Sequence, residues 1–510
     1  MDARRSVERP PRGVSRAGAP VPAVAPAPVR PERVTSWGGA VAGEALVFRP
    51  GTWEEVDAAI ELARRRGRSV AFRGAGRSYG DAALATGHVL VDLGRLRSIL
   101  AWDPERGIID VEPGVTIHEL WCRTLPDGWW PPVVPGTAAV TVGGAAAMNV
   151  HGKNHWNTGC FGDHVLEFEI VLPSGERRVC DRSREPDLFH AAIGGFGMFG
   201  HFTRLRLGMR RVGTGYVDVR AFPTRDLPHA LDVFEEHANE ADFLVGWLDG
   251  FARGERLGRG IVHRADHASP GPASESPPSL RPEYQLAPRG LLRVLPRSQM
   301  WRLLRLFRHR PGMRLLNATK HAADRIAHRG SEPTQQPLAS FSFLLDALPN
   351  WERCYRPGGL IQVQAFVPAA AARSVFTAQL RLSQARGLPP YLAVLKRHRE
   401  DPFLIRYAID GYSLALDYPV TRRNGARLRA LIREMNERVF DAGGRFYFAK
   451  DAVLERGSPS RFLPPDRLER FLELKRRYDP EGLVQSDLSR RLFGDFGAAA
   501  GSAARASAPS

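Results

Sequence analysis

Arg73-Gly74-Ala75-Gly76-Arg77-Ser78-Tyr79-Gly80-Asp81 comes directly out of the apolar run Ser69–Arg73, and the fold is read from this junction. A strand that runs into closely spaced glycines lets backbone N–H groups approach phosphate oxygens. The glycine spacing is GxGxxxG, not the GxGxxG of a Rossmann turn. Ala82–Thr86 does not begin a long amphipathic helix, so no βαβ unit of Rossmann length follows. Alone, the stretch also fits a tight structural turn.

A second stretch strengthens the ligand reading. Pro135-Gly136-Thr137 leads through Val140, Thr141, Val142, Gly143 and Gly144 to Ala145–Ala147, then Met148, Asn149 and Val150. Five small residues in succession, Gly143 to Ala147, leave no side chains to fill space, so a flat or extended ligand is expected against that backbone. His151, Gly152, Lys153, Asn154 and His155 then place polar groups at its end. A histidine and a lysine two residues apart in that position point to a site.

The lysine carries further weight because lysine is scarce. The 510 residues hold 72 Lys and Arg, and only Lys153, Lys320, Lys396, Lys450 and Lys475 are lysines. Where arginine serves almost everywhere, surviving lysines are enriched at places that need a compact ammonium. The net charge of +17 fits a solvated basic surface, an anionic substrate or an anionic membrane. The arginine clusters at 64–66 and 302–314 lack interleaved aromatics, and no nucleic-acid partner is expected. Four dispersed cysteines without a CxxC pair suggest neither a disulfide framework nor a metal site, and point to a reducing, cytoplasmic setting. No apolar run reaches the length of a membrane span.

Composition and periodicity give the organisation. Residues 1–35, rich in Pro, Ala and Arg, read as a disordered arm, and 496–510 as a disordered tail. Between them, 36–212, 213–440 and 441–495 read as a first domain, a second domain and a C-terminal return. A Pro/Ser-rich loop at about 265–288 interrupts the second, as a mobile lid or a tolerated insertion. Thr52 and Glu55 form a capping box before a helix to about Arg66, and Thr116 caps another. Strands are expected at 69–73, 88–93, 108–111 and 201–207, with a hairpin over 165–172 and 177–180. In the second domain they are expected near 244–247, 360–366, 391–396 and 412–418, before helices at 425–442 and 465–478.

With these residues in hand, the chain resembles the vanillyl alcohol oxidase flavoproteins, whose FAD-binding domain is of the PCMH type. The RGxGRSYGD turn, the PGTxxVTVGG platform and the HGKNH run carry the resemblance. So do Gly194-Gly195, Gly246–Asp249, Gln362-Val363-Gln364, Leu416–Pro419, Gly443–Asp451 and Ser486-Asp487 with Arg490-Arg491. The fold implied is α+β in two domains: an FAD domain of two α+β subdomains and an antiparallel-sheet substrate or cap domain. The resemblance implies that FAD is bound by Arg73, Gly74, Ala75, Gly76, Arg77, Ser78, Tyr79, Gly80, Asp81, Gly136, Thr141, Val142, Gly143, Gly144, Met148, Asn149, Val150, His151, Phe202 and Tyr447. It implies Lys450 and His151 as catalytic residues, and Lys153, Trp247, Gln362, Gln364, Lys396 and Ser413 as substrate-binding residues.

The likeness is greatest to the branch that oxidises a pentose carried on polyprenyl phosphate, in making the arabinose donor of the actinobacterial cell wall. It implies hydride transfer from a sugar-like alcohol to flavin N5, a partner NAD-dependent reductase and peripheral contact with the membrane. Two other readings are an aldonolactone or alditol oxidase that uses O₂, and a non-catalytic FAD or lipid-phosphate binding protein. Departures bear on these expectations. Arg77 stands where many relatives carry the histidine that links FAD covalently, so non-covalent FAD is expected. Ala415 stands where the branch has a cysteine and Ser413 where it has an asparagine.

Overall fold

The computed structural model describes residues 30–269, 278–285, 290–291, 295–327 and 332–497. Most of the N-terminal arm, the centre of the 265–288 loop and the tail from 498 lie outside the described residues. Residues 31–35, read as the end of the arm, instead form a strand, Pro31–Thr35, paired antiparallel with Ala42–Phe48.

Three sheets position the site. In the first, the order is Pro31–Thr35, Ala42–Phe48, Val89–Asp92, Val70–Arg73, and the last three strands run parallel. Helix Trp53–Arg65 connects Ala42–Phe48 to Val70–Arg73, the parallel strands on either side of Val89–Asp92. It is capped by Thr52 Oγ1, which accepts from Glu55 N. The second sheet is antiparallel, in the order Ile99–Asp103, Ile108–Val111, His201–Gly208, Val165–Val171, Arg177–Cys180. The glycine-rich turn leaves the first sheet and faces the second across the 135–151 segment.

The third sheet has eight strands, all paired antiparallel. Their order is Thr334–Pro337, Tyr216–Thr224, Gly260–His267, Phe243–Leu248, Leu392–His398, Gly411–Pro419, Leu360–Pro368 and Arg445–Phe446. Strands Gly411–Pro419 and Leu360–Pro368 are buried except at their last residue, and helices Ala369–Ala385 and Gly425–Asp441 cover one face of the sheet. On that face Leu395, Leu414 and Leu416 have no exposure. Alternation sends the intervening residues to the other face, where Val245, Trp247, Val394, Lys396, Ala415, Gln362 and Gln364 line a cavity.

After Phe446 the chain returns to the glycine turn. Tyr79 N donates to Ala449 O at 2.9 Å. A Cβ on Gly80 would lie 1.7 Å from Asp451 O, so the two backbones touch at a distance only glycine allows. Arg491, on the last helix Asp487–Phe493, closes the junction. Its Nε and Nη2 hold both Asp81 oxygens at 2.8 and 2.7 Å, and its Nη1 holds Asp451 at 2.8 Å. The C-terminal segment also edges the first sheet, where Val70 N donates to Leu483 O at 2.7 Å and Gln485 N to Val70 O at 2.8 Å.

Arg491→Met would leave two mostly buried carboxylates facing each other without a counter-charge. It should destabilise the protein by about 3 kcal/mol, read from the midpoint and slope of urea unfolding. Arg491→Lys should recover only part of this, because an ammonium cannot engage Asp81 with a planar fork.

Candidate active site

The glycine turn and the 136–150 segment meet at backbone distance. A Cβ on Gly74 would lie 2.0 Å from Thr141 Oγ1, and one on Gly143 would lie 2.6 Å from the Pro113 ring. Gly76 has φ +62°, with the Arg73 guanidinium folded against it. The small-residue run is a short helix, Val142–Ala147, whose N-cap Thr141 accepts from Gly144 N. Together these elements form one wall of a cavity of about 760 Å³.

Of the residues expected at the cofactor, Arg73 to Tyr79, Gly136, Thr141, Gly143, Gly144, Met148, Val150, His151, Phe202 and Tyr447 line this cavity. Gly80, Asp81, Val142 and Asn149 do not. Gly80 and Asp81 make the C-terminal junction, and Val142 is fully buried. Asn149, at φ 44°, accepts from Gly162 N through Oδ1 and from the Tyr407 hydroxyl through its carbonyl.

The substrate-side residues come from the third sheet and from the segments after His151 and Phe446. Lys153, Trp247, Gln362, Gln364, Lys396 and Lys450 all line the cavity. Ser413 does not: it is fully buried behind Gln364, whose Nε2 donates to its Oγ at 3.1 Å. The Lys450 ammonium stands 3.8 Å from the Tyr79 ring centre, and Lys153 stands 4.0 Å from that of Phe341 and donates to Phe341 O. Gln362 Nε2 donates to Asp417 Oδ1, while Asp417 Oδ2 is buried without a partner.

Both His151 nitrogens already face protein groups. Nε2 lies 3.0 Å from Gln364 Nε2, and Nδ1 lies 3.4 Å from Gly152 O. An amide N–H can only donate, so His151 Nε2 is an acceptor here. That leaves Lys450 better placed than His151 to receive a proton from a ligand.

Lys320 was not expected at the site, yet it lines the cavity, 5.2 Å from the Trp247 ring centre. It lies on helix Arg310–Ala327, which covers the third sheet with Met313, Leu316, Asn317 and Lys320 toward the cavity. The i, i+3, i+4, i+7 spacing of these four is a helix face, and it was readable in the sequence. Trp37, from the first sheet's border, and Tyr355 were also missed, and no local pattern marks them.

Burial sets the charges. It pulls Lys450 down to about 7, with Asp417 opposing the fall and Lys396 adding to it. Asp417 is pushed up to about 6 by its own burial, against Gln362 and Lys450. Lys396 falls to about 8 for the same reason. Lys153 and His151 are held well below their ordinary values by burial first and by Lys396 second, so the His151 ring is neutral.

A side-chain-poor cradle for an extended, flat cofactor thus opens onto a pole of titratable lysines, the two parts of a cofactor-dependent oxidoreductase site. The buried Tyr447 hydroxyl on the cavity wall has no protein partner, as a contact reserved for such a cofactor requires. Comparison with known proteins identifies the cofactor. Residues 44–181 match the FAD binding domain model. Decaprenylphosphoryl-β-D-ribose oxidase of Mycolicibacterium smegmatis is 30% identical over 91% of this chain and 98% of that protein. A putative D-arabinono-1,4-lactone oxidase of Neurospora crassa is 22% identical over 88% and 83%. Cytokinin dehydrogenase 7 of rice is 32% identical over 39% of each chain. The chain belongs to the vanillyl alcohol oxidase, or PCMH-type, family of FAD-binding oxidoreductases. Its cofactor is FAD.

The electrostatics fix a pH dependence. Lys450's value is lowered, so its proton-accepting form is lost as pH falls through about 7. If Lys450 takes the substrate proton, flavin reduction should rise about tenfold per pH unit below that point and level off above it. Stopped-flow reduction across about pH 5.5 to 9 should show this limb in the parent and not in Lys450→Met.

Proposed function

We propose that the chain oxidises a secondary alcohol of a phosphate-bearing, sugar-like substrate, of the class of pentoses carried on polyprenyl phosphate. One observation carries the reading: of five lysines in the whole chain, Lys153, Lys320, Lys396 and Lys450 line one cavity. Lys153, Lys396 and Lys450 share the cavity, with one nearby carboxylate, Asp417, so a bound anion favours their charged forms, and lysine holds phosphate as a compact charge. Leu304, Met313, Leu316 and Leu348 add an apolar wall suited to a prenyl chain. The similarity to a decaprenylphosphoryl-ribose oxidase over nearly the whole of both chains supports the same class.

FAD supplies the hydride acceptor when bound. The glycine turn, Gly136, Thr141, Gly143, Gly144, Met148, Val150, Phe202 and Tyr447 hold it, and the remaining work falls to the pocket residues. Lys450 takes the hydroxyl proton from the reacting carbinol. Lys153, Lys396 and Lys320 bind the phosphate and neighbouring oxygens, and Gln362 and Gln364 orient the sugar. Asp417 keeps a counter-charge near Lys450, so its ammonium form is tolerated between turnovers. The oxidised product passes to a separate NAD-dependent reductase.

No helix among the described residues is long and apolar enough to cross a membrane. Exposed Leu303, Leu306 and Leu315, interspersed with Arg302, Arg305 and Arg314, suit peripheral contact with an anionic bilayer from the cytoplasm. The likeness to a putative arabinonolactone oxidase favours a second reading, a free-sugar or lactone oxidase using O₂. A neutral lactone offers Lys153 and Lys396 no counter-charge.

Anaerobic bleaching with prenyl-phospho-pentoses, free polyols and lactones separates the two readings. Only the phosphorylated pentoses should reduce the flavin, and rapid bleaching by free lactones would overturn the proposal. FAD should be released by acid precipitation, since Arg77 offers no nucleophile for a covalent link; flavin retained in the denatured pellet would contradict this. Lys450→Arg should keep FAD content and melting temperature while slowing reduction about 10²–10⁴-fold, because guanidinium does not give up its proton.

A further inference from the structure

Behind the cavity wall lies a polar chain whose inner members, His398 and Ser413, the proposed chemistry does not use. Its first member is His398, fully buried at the end of strand Leu392–His398. Its Nε2 lies 2.7 Å from Ser413 Oγ, on the neighbouring strand. Ser413 Oγ accepts from Gln364 Nε2 at 3.1 Å, and the same amide nitrogen reaches His151 Nε2 at 3.0 Å. His398 Nδ1 is buried with no partner. An unsatisfied buried nitrogen is a cost, and an apolar residue in that place would avoid it.

The amide arithmetic is decisive. A glutamine Nε2 has two hydrogens. Ser413 takes one and His151 the other, so the end of the Gln364 carboxamide left for the cavity is its carbonyl oxygen.

We infer that His398 is a positioning residue: through Ser413 it fixes the Gln364 carboxamide so that a substrate meets a hydrogen-bond acceptor, and His151 meets a donor. The consequence for selectivity rests on the sugar-alcohol reading above. A fixed carbonyl oxygen accepts from one sugar hydroxyl and rejects an analogue that cannot donate there. Without the Ser413 anchor the amide is free to turn over. It then offers N–H to the cavity and oxygen to His151, which draws the proton of the His151 ring to Nε2. The groups facing His398 are His151 and His155, with ring centres at 5.1 and 4.7 Å, together with Lys396 and Arg397. All are basic, so no carboxylate among them competes for the Ser413 hydroxyl.

The test uses the FAD-loaded protein with His398→Leu, Ser413→Ala, the double variant and His398→Gln, which keeps a polar end within reach of Ser413. Sugar phosphates fluorinated in turn at each hydroxyl other than the one oxidised are compared with the parent sugar. The parent should prefer hydroxyl over fluorine at one position by about tenfold or more in kcat/KM. His398→Leu and Ser413→Ala should each lose that preference, the double variant should lose no more than either, and His398→Gln should recover most of it. Melting temperature should hold or rise in His398→Leu, since the orphan nitrogen is gone. Independently of turnover, solid-state ¹⁵N spectra of histidine-labelled protein, with His151 assigned through His151→Gln, should show Nε2 unprotonated in the parent and shifted toward protonated in both single variants.

Unchanged His151 signals in both variants would overturn the inference, as would a preserved hydroxyl preference or losses that multiply in the double variant. If His398→Leu does not fold, Ser413→Ala and His398→Gln decide by the same measures. If no sugar phosphate reduces the parent's flavin, the substrate reading has failed, and the ¹⁵N spectra still decide the role of His398.

Discussion

The Arg491 guanidinium lies between two carboxylates from opposite ends of the site, Asp81 at the close of the glycine turn and Asp451 just past Lys450. Burial pushes the Asp81 carboxyl up, and Arg491 opposes it. A buried ion cluster of this kind contributes less to net stability than its short distances suggest, because three groups have been taken out of water. What it supplies is registration. The fork permits one relative placement of the turn and the returning segment, and that placement sets Lys450 over the Tyr79 ring. The cavity wall and Lys450 are therefore parts of one junction.

On the lysine side of that junction the protein concentrates charge of one sign where water is scarce. Like charges in a low-dielectric cavity raise one another's energy, and each ammonium lowers its neighbour's hold on a proton. The cavity resolves the conflict in two ways. Some lysines become neutral in the resting state, and in the proposed reaction a bound anion supplies the missing counter-charge. Arginine cannot take the first route, which accounts for a chain that uses it throughout and still keeps lysine here. Lys475 shows that scarcity alone does not mark function. It is fully buried, donates to Met198 O and Val484 O at 2.7 Å each, pairs with Asp479, and ties the C-terminal helix to the FAD domain.

Features written locally were legible in the sequence. The glycine turn, the Thr52 and Thr116 caps, the 165–180 hairpin and the central strands of the third sheet all rest on patterns a few residues long. The resemblance marked Gln362, Gln364 and Lys396, and their cavity face follows from period-two alternation along their strands. Alternation could not tell that Ser413, on that same face, lies behind Gln364, because depth depends on how neighbouring strands stack. Gly80, Asp81, Val142 and Asn149 stand within the right motifs and serve the junction and the core instead. A motif records that residues travel together, not which of them reach the ligand. Residues 31–35 carry the same Pro-rich composition as the arm before them, and only pairing with Ala42–Phe48 makes them a strand. The helix over the cavity had the correct spacing, but none of the motifs that carry the resemblance lies in it.

Asp81 and Arg491 are 410 residues apart along the chain. During synthesis the glycine turn therefore leaves the ribosome long before the group that closes it, and the half-made cradle lacks the Tyr447 wall and the Arg491 clasp. The site is complete only in the finished chain, so the order of events in the cell is to complete the fold, then close the flavin site, then meet the substrate.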